Sequence, residues 1–468
     1  VGGCPAAVLA DAPNVLLIVA DDLGYGDLGC TGSTTIRTPH IDALARGGAL
    51  CTQAYVASSV CSPSRAGLLT GRDPRRFGYE GNLNNSSDNY ATRPELLGLP
   101  IAEWTIADQL AAAGYQTALI GKWHLGMHEA MHPNRRGFHY FFGILEGSHT
   151  YWMTPSNRFQ RNGQPLQQWS DRYVTNMLTD EAVDWIRDRH AKSPDQPWLV
   201  VASYTAPHTP LEAPPEEIEA VAPLENARRR TYVAMVQNLD RNIGRLMETL
   251  DDTRERQNTL IIFLSDNGGA TDNASWNGRL SGAKGSCLEG GIRVPMIWNW
   301  PAQIPSGQRS EGVVSSLDIV PTVVAAAGAA LLAPQATPPH QDIKNVQRYS
   351  ARYGEYDGQN VMPELSGQSE PQSRTLYWRL QGQAALLDGT HKLVRPHHRL
   401  PQLFRPATDP GESQDLAADQ AERSAELLRQ LAEWEATLPT VPLWDSSPYW
   451  WGESAKIFDR YAPKPEPR

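Results

Sequence analysis

Five short polar groups in this 468-residue chain carry side chains that could bind a cation or move a proton. Asp21-Asp22, Lys122-Trp123-His124, Ala206-Pro207-His208 and Asp266-Asn267 each follow an apolar run. The fifth, Cys61-Ser62-Pro63-Ser64-Arg65, continues through Leu68-Leu69-Thr70 to Gly71. Core packing has no need of a small thiol, a rigid Pro and an Arg in that order. Asp21, Asp22, Asp266 and Asn267 are hard oxygen donors with no Cys or His at zinc spacing among them, which points to a hard divalent cation. Ca²⁺ fits best, because it accepts several protein oxygens in irregular geometry, with Mg²⁺ and Mn²⁺ ranking below it. Taken singly, an Asp pair after a strand reads as a loop or helix cap, and a lone Lys or His as solvated. Their recurrence at successive strand ends is what favours chemistry.

The stretch from Cys61 to Gly71 resembles the type I sulfatase signature, Cys-x-Pro-Ser-Arg running into Leu-Thr-Gly. That family belongs to the alkaline phosphatase superfamily and includes bacterial arylsulfatases and carbohydrate sulfatases. The resemblance implies that a maturation enzyme oxidises Cys61 to formylglycine, an aldehyde whose hydrate is the nucleophile. A serine would leave a stable sulfate ester on the enzyme, whereas the second hydroxyl of a hydrate can lose its proton and expel sulfate by elimination. It also implies that Asp21, Asp22, Asp266 and Asn267 hold Ca²⁺ together with an oxygen of residue 61. Arg65, one helical turn beyond Cys61 if a helix begins near Pro63, would return to the hydrate or the metal ligands. Lys122, in Gly121-Lys122-Trp123-His124-Leu125-Gly126, would contact sulfate, with His124 as the base for elimination. Lys284, in Gly282-Ala283-Lys284-Gly285-Ser286, would bind sulfate and share protonation of the leaving group with His208. Ser148, in Gly147-Ser148-His149, matches a position that touches sulfate, and His149 is the weaker neighbour.

The implied activity is hydrolysis of a sulfate monoester, on a sulfated carbohydrate or an aryl sulfate. One alternative is a phosphonate or phosphate ester hydrolase using the same aldehyde. Another is an inert glycan-binding homologue, which should have lost Cys61 or a metal ligand, and none is missing. Arg135 and Arg136 could reach an anionic sugar, although a solvated basic turn is the plainer reading. Some of the 14 Trp residues could stack on sugar rings, but large aromatics more often fill cores.

The elements that must position these groups read as an α/β fold. Residues 14–20, 117–121, 198–202 and 259–265 are apolar without alternation, as strands buried on both faces of a parallel sheet are. Ligands collect beyond the carboxyl ends of such strands. Helices are expected over 105–113, ending at Gly114, and over 231–250, with Val233, Val236, Leu239, Ile243, Leu246 and Leu250 at helical spacing. The expectation is a large, mostly parallel sheet sandwiched by helices, alkaline-phosphatase-like, over residues 13–367. Residues 331–353, rich in Pro and Gln, read as an insertion. Short strands at 375–380, 384–387, 392–395 and 402–404, then a helix over 421–438, suggest a smaller antiparallel sheet with one helix within 368–468.

A net charge of −10 argues against nucleic acid as a partner, while a local group of Arg, Lys and His can still attract an anionic substrate. The longest apolar stretch, residues 313–333, is broken by Ser315, Ser316, Asp318 and Pro321, so no membrane span is expected. Val8-Leu9-Ala10 before Asp11 resembles the end of a signal peptide, and Val1-Gly2-Gly3-Cys4 a degenerate lipoprotein box. Both place the protein in the periplasm or outside the cell, with Cys4 as a lipid attachment point in the second case, and a frayed terminus or cloning remnant over 1–12 is the alternative. Cys4, Cys30, Cys51 and Cys287 show no metal or disulfide spacing.

Overall fold

The computed structural model describes residues 12–83, 97–154, 158–167, 171–332, 356–439, 442 and 444. Apart from Ala12, Leu331 and Leu332, the expected leader with Cys4 and the expected insertion lie outside the described residues.

Among these residues, ten strands form one sheet: β1 (Asn14–Ala20), β2 (Ala49–Tyr55), β3 (Gln116–Lys122), β4 (Tyr140–Ile144), β5 (Gln160–Arg161), β6 (Gln164–Pro165), β7 (Trp198–Ser203), β8 (Thr259–Ser265), β9 (Met296–Asn299) and β10 (Gln308–Ser315). Their spatial order is β10-β2-β9-β8-β1-β7-β3-β4-β5-β6. The central strands β8, β1, β7 and β3 are parallel, with Ala20 opposite Ser265, Val19 opposite Ser203 and Gly121 opposite Ser203. All four therefore end at one edge, where the polar groups begin. β9 departs from this pattern by running antiparallel to both β8 and β2.

Why these runs lack alternation is visible in the packing. Val15, Leu17, Val19, Leu260, Ile262 and Leu264 face one core, while Leu16, Ile18, Ala20, Ile261 and Phe263 face the other. Each Val, Leu or Ile so enclosed stabilises the fold by roughly 1.5–3 kcal/mol. Helices cover both faces. The expected helix over 231–250 extends to Ala227–Asp252, because the Asn226 side chain accepts the free N–H groups of Arg228 and Arg229. Helix Ile106–Ala112 begins at Thr105, which forms a reciprocal capping box with Asp108.

The helix carrying the cysteine motif spans Cys61–Thr70, so it starts two residues before the expected Pro63. Pro63 sits in the first turn, where its missing N–H costs nothing. The helix ends at Gly71, whose φ of +68° suits glycine and whose N–H bonds the Gly67 carbonyl.

A second sheet, β11 (Thr375–Leu380), β12 (Gln383–Asp388), β13 (His391–Arg395) and β14 (Gln402–Phe404), is antiparallel in that order. Alternate residues divide its faces. Ala384, Leu386, Leu393 and Leu403 pack on Leu427, Leu431 and Trp434 of helix Ala421–Glu435. The other face, with Trp378, Leu380, Ala385, Leu387, Val394 and Phe404, packs on Tyr55, Val60, Leu288 and Ile292 of the large unit. The small sheet thus backs directly onto the segment before Cys61.

Candidate active site

β1 delivers Asp21 and Asp22, β3 delivers Lys122, and β8 delivers Asp266 and Asn267 to the shared edge, where the N-terminus of helix Cys61–Thr70 also points. Cys61 Sγ lies 3.5 Å from Asp21 Oδ1 and 3.8 Å from Asp22 Oδ1. One ligand atom each from Asp21, Asp22, Cys61 and His208 falls within 4.8 Å of the others. Lys122 Nζ donates to Asp21 Oδ2 at 2.6 Å, and Lys284 Nζ lies 2.7 Å from Asp22 Oδ1. Arg65 crosses the floor: Nε donates to Asp266 Oδ2 at 2.8 Å, Nη1 donates to Ser203 Oγ at 2.6 Å, and Nη2 stands 3.7 Å from Asp21 Oδ2. All of these side chains are buried apart from that of His208, which is partly exposed.

Burial and neighbouring charge set the protonation states. Burial would raise Asp21, but Lys122, His208, Arg65 and Lys284 outweigh it and hold the carboxyl far below its usual range. Asp266 is pushed up to about 6 by burial and by the Asp21 charge. The Lys284 ammonium loses hydration yet is held charged by Asp22. Burial drives the Cys61 thiol well above its ordinary value despite Lys122 and Lys284, so a cysteine here is protonated and a poor nucleophile at neutral pH. His124 is depressed well below 6.5 by burial and by the Lys122 and Arg65 charges, leaving a neutral imidazole able to accept a proton.

The donor set fits a hard cation. The charge of buried Asp21 raises its buried neighbour Asp266, Asp22 adds a third carboxylate, and the buried Asn267 Oδ1 has no hydrogen-bond partner among the described residues. Asn267 Nδ2 donates to Asp22 Oδ1 at 2.7 Å, which places that orphan oxygen beside the carboxylates. A divalent ion would use the oxygen and relieve the repulsion.

These features coincide with a family match. The sulfatase family model matches residues 13–329. The chain belongs to the sulfatase family. Human steryl-sulfatase is 30% identical over 92% of this chain and 90% of its own length. Human arylsulfatase A is 31% identical over 91% of this chain and 87% of its own. Among solved structures, Ps i-CgsB in complex with k-i-k-neocarrahexaose superposes with a TM-score of 0.83 at 32% identity, covering 96% of this chain and 98% of that one. The protein is accordingly a sulfuric ester hydrolase, and sulfatases generally use a metal ion and formylglycine. The phosphonate monoester hydrolase of Agrobacterium radiobacter, at 20% identity and a TM-score of 0.63, shares the fold.

Within this sulfatase the remaining expected residues divide. His208 Nδ1–H donates to the Thr209 carbonyl at 2.6 Å, which leaves Nε2 facing the site, 3.5 Å from Asp22 Oδ2. His124 has a left-handed backbone, φ +56°, as does Asp22 at +63°. Its ring lies against Gly147, where a Cβ would stand 2.6 Å from the imidazole. Ser148, the next residue, is exposed on that loop rather than drawn into the charged cluster. His149 is half-buried with Nε2 3.2 Å from Thr205 Oγ1, and burial lowers it to about 4. Arg136 departs from the expected basic turn: it is buried and donates to the Leu99, Pro100 and Glu103 carbonyls, while Arg135 is exposed beside Glu129. Trp123, Trp198 and Trp298 are core residues.

Other side chains had no sequence signal of their own. Ser203 Oγ receives Arg65 and donates to the Lys122 carbonyl at 2.6 Å, joining two expected residues. Ser62 Oγ donates to the His124 carbonyl at 2.7 Å and meets Tyr79 Oη at 2.6 Å. Tyr151 Oη lies 2.7 Å from the Thr205 carbonyl and 2.9 Å from that of His208. Asn273 Nδ2 donates to the Asp22 carbonyl at 3.0 Å. Ser62 alone lies inside a recognisable motif.

Proposed function

We propose that this sulfatase removes sulfate from a sulfated carbohydrate, using a formylglycine made from Cys61 and a bound Ca²⁺. The observation that carries the reading is the placement of Cys61: a buried, protonated thiol at a helix N-terminus, touching two carboxylates and ringed by cations. A thiol gains nothing from that environment, whereas an oxygen that ligates a cation does. When bound, the ion supplies Lewis-acid stabilisation, and the hydrate of residue 61 supplies an oxygen nucleophile with its own route to sulfate release.

The chain's own residues do the rest. Lys122 and Lys284, bonded to Asp21 and Asp22 respectively, present two ammonium groups to the sulfate oxygens. Charge stabilisation of this kind is the main demand of sulfuryl transfer, as it is of phosphoryl transfer. Arg65 ties Asp266 to Ser203 and Asp21, fixing the carboxylates as a ligand set with Asn267. His208, with Nδ1–H committed to a carbonyl, turns Nε2 to the site and, once protonated, gives that proton to the departing alcohol, with Lys284 sharing the task. His124, neutral and with a buried Nδ1 that has no partner among the described residues, accepts the proton released at residue 61 during elimination. Ser148, exposed on the loop outside the charged cluster, would reach sulfate only if that loop closed over the substrate.

Sulfated glycans are favoured by the likeness to Ps i-CgsB, which was solved with k-i-k-neocarrahexaose. A leader at the N-terminus, export to the periplasm or beyond, and a maturation enzyme as partner accompany this reading. The described residues contain no helix long and apolar enough to cross a membrane. The test is release of inorganic sulfate from defined sulfated oligosaccharides, an aryl sulfate and a matched phosphodiester, with Cys61→Ala as control. Sulfate release that vanishes in Cys61→Ala supports the proposal. Preference for the phosphodiester, or full turnover by Cys61→Ala, contradicts it.

A further inference from the structure

Lys284 reaches Asp22 from the loop between β8 and β9. Within the large unit that loop is tied by Lys284 N–H to the Gly269 carbonyl at 3.1 Å and by Gly285 N–H to the Ser59 carbonyl at 2.8 Å. Further ties come from the small unit. Gln383, opening β12, accepts Cys287 N–H at 2.9 Å and donates from Nε2 to the Gly285 carbonyl at 2.7 Å. Glu412, beyond β14, accepts Glu289 N–H at 2.9 Å and the Ser281 hydroxyl. Lys392, on β13, bridges the two carboxylates, 2.8 Å from Glu289 Oε1 and 2.9 Å from Glu412 Oε1. Tyr55 Oη and Arg293 Nη1 hold the second Glu289 oxygen at 3.0 and 3.1 Å.

The side chains of Gln383, Lys392, Glu289 and Glu412 are buried. Apolar packing already joins the two units through Trp378, Val394, Leu288 and Ile292. A buried ionic group adds little to such an interface in net stability, but its geometry is directional. Trp378 and Arg379 bond the large unit elsewhere, at the Val56 carbonyl and Glu80, whereas the bonds named above from Gln383, Lys392 and Glu412 to the large unit fall on residues between Ser281 and Glu289, which bracket Lys284. We infer that Gln383, Lys392 and Glu412 are positioning residues that fix Lys284 at the reacting sulfate, so that the small unit completes a site to which, among the described residues, it gives no catalytic side chain. This rests on Lys284 being a sulfate-binding cation, as proposed above.

A double-mutant cycle tests it. The variants are Gln383→Leu, Lys284→Ala and the pair, assayed for kcat/KM and for inhibition by inorganic sulfate. With Lys284 present, Gln383→Leu should lower kcat/KM about tenfold and weaken sulfate inhibition comparably, the effect of losing directional hydrogen bonds to the loop. In the Lys284→Ala background the same change should cost about twofold at most, because the residue it positions is gone. An equal loss in both backgrounds, or no loss with Lys284 present, overturns the inference alone. A fully active Lys284→Ala overturns the role of Lys284 and the inference with it. Should Gln383→Leu fail to fold, Glu412→Ala takes its place in the cycle. Glu412→Gln, which keeps an oxygen for Ser281 and for the Glu289 N–H and gives up only the Lys392 contact, should lose less kcat/KM than Glu412→Ala, and an equal loss counts against positioning.

Discussion

At the scale of single residues the account depends on which groups are charged. Lys122 and Lys284 each contribute one ammonium, and loss of one preorganised charge typically costs about 100- to 1,000-fold in kcat. Lys122→Ala and Lys284→Ala are expected to fall in that range in steady-state assays while keeping the wild-type melting temperature within a few degrees. His124 is depressed below its ordinary 6.5 by burial and by Lys122 and Arg65, so it stays neutral, and able to act as base, as pH falls through 6.5. Its contribution to the acid limb of the kcat pH profile should therefore lie below pH 6.5. The linkage has the same sign: below pH 6.5 the unfolded chain binds a proton that the folded imidazole refuses, so stability falls as pH falls through that window. Urea titrations at pH 7 and pH 5.5, compared between the wild type and His124→Gln, measure that slope, which the substitution should reduce.

Much of this level was legible in the sequence, because Cys61, Arg65, Lys122, Lys284 and the acidic pairs sit in ordered motifs. Ser203 and Tyr151 were not legible. A lone hydroxyl gains its role from partners distant in sequence, here Arg65 for Ser203 at a separation of 138 residues.

At the scale of elements, the site depends on strand ends that stay in register. Gly121 shows the tolerance: its φ is +119°, and a Cβ there would stand 1.9 Å from the Ser203 carbonyl oxygen. Gly121→Ala should force β3 and β7 apart, costing about 3 kcal/mol by overpacking and displacing Lys122, with loss of both melting temperature and activity. Thr105→Ala is the contrast. Removing that capping side chain should cost about 1 kcal/mol in chemical denaturation and leave kcat/KM unchanged, since helix Ile106–Ala112 does not reach the site. The strands β1, β7 and β8 were readable as uninterrupted apolar runs, and β11 and β14 match their expected bounds. β9 was not: four residues have no period to read, and its reversed direction is decided by neighbours that enclose it on both sides. The early start of helix Cys61–Thr70 was also hidden, because Pro63 suits the third helical position as well as the first.

At the scale of the molecule, a chain of net charge −10 concentrates Arg65, Lys122, Lys284 and two histidines around three carboxylates at one sheet edge. Chelation should abolish turnover and lower the melting temperature, and Ca²⁺ should restore both. At a hundredfold excess over its dissociation constant, an ion bound only by the folded state adds about 2.7 kcal/mol. A chelated protein with unchanged melting temperature and activity would remove the ion from the account. Residue 61 is 1% exposed beneath the strand ends, so the proposed maturation would have to reach it before the fold closes. Joint production of the chain with a maturation enzyme, followed by mass measurement of the peptide that contains Cys61 and by assay of the same preparations, tests the central claim most directly. Conversion lowers the peptide mass by about 18 Da, a value fixed by covalent chemistry. The account predicts that specific activity rises in proportion to the converted fraction and extrapolates to zero without conversion; full activity in a preparation that retains the thiol would contradict it.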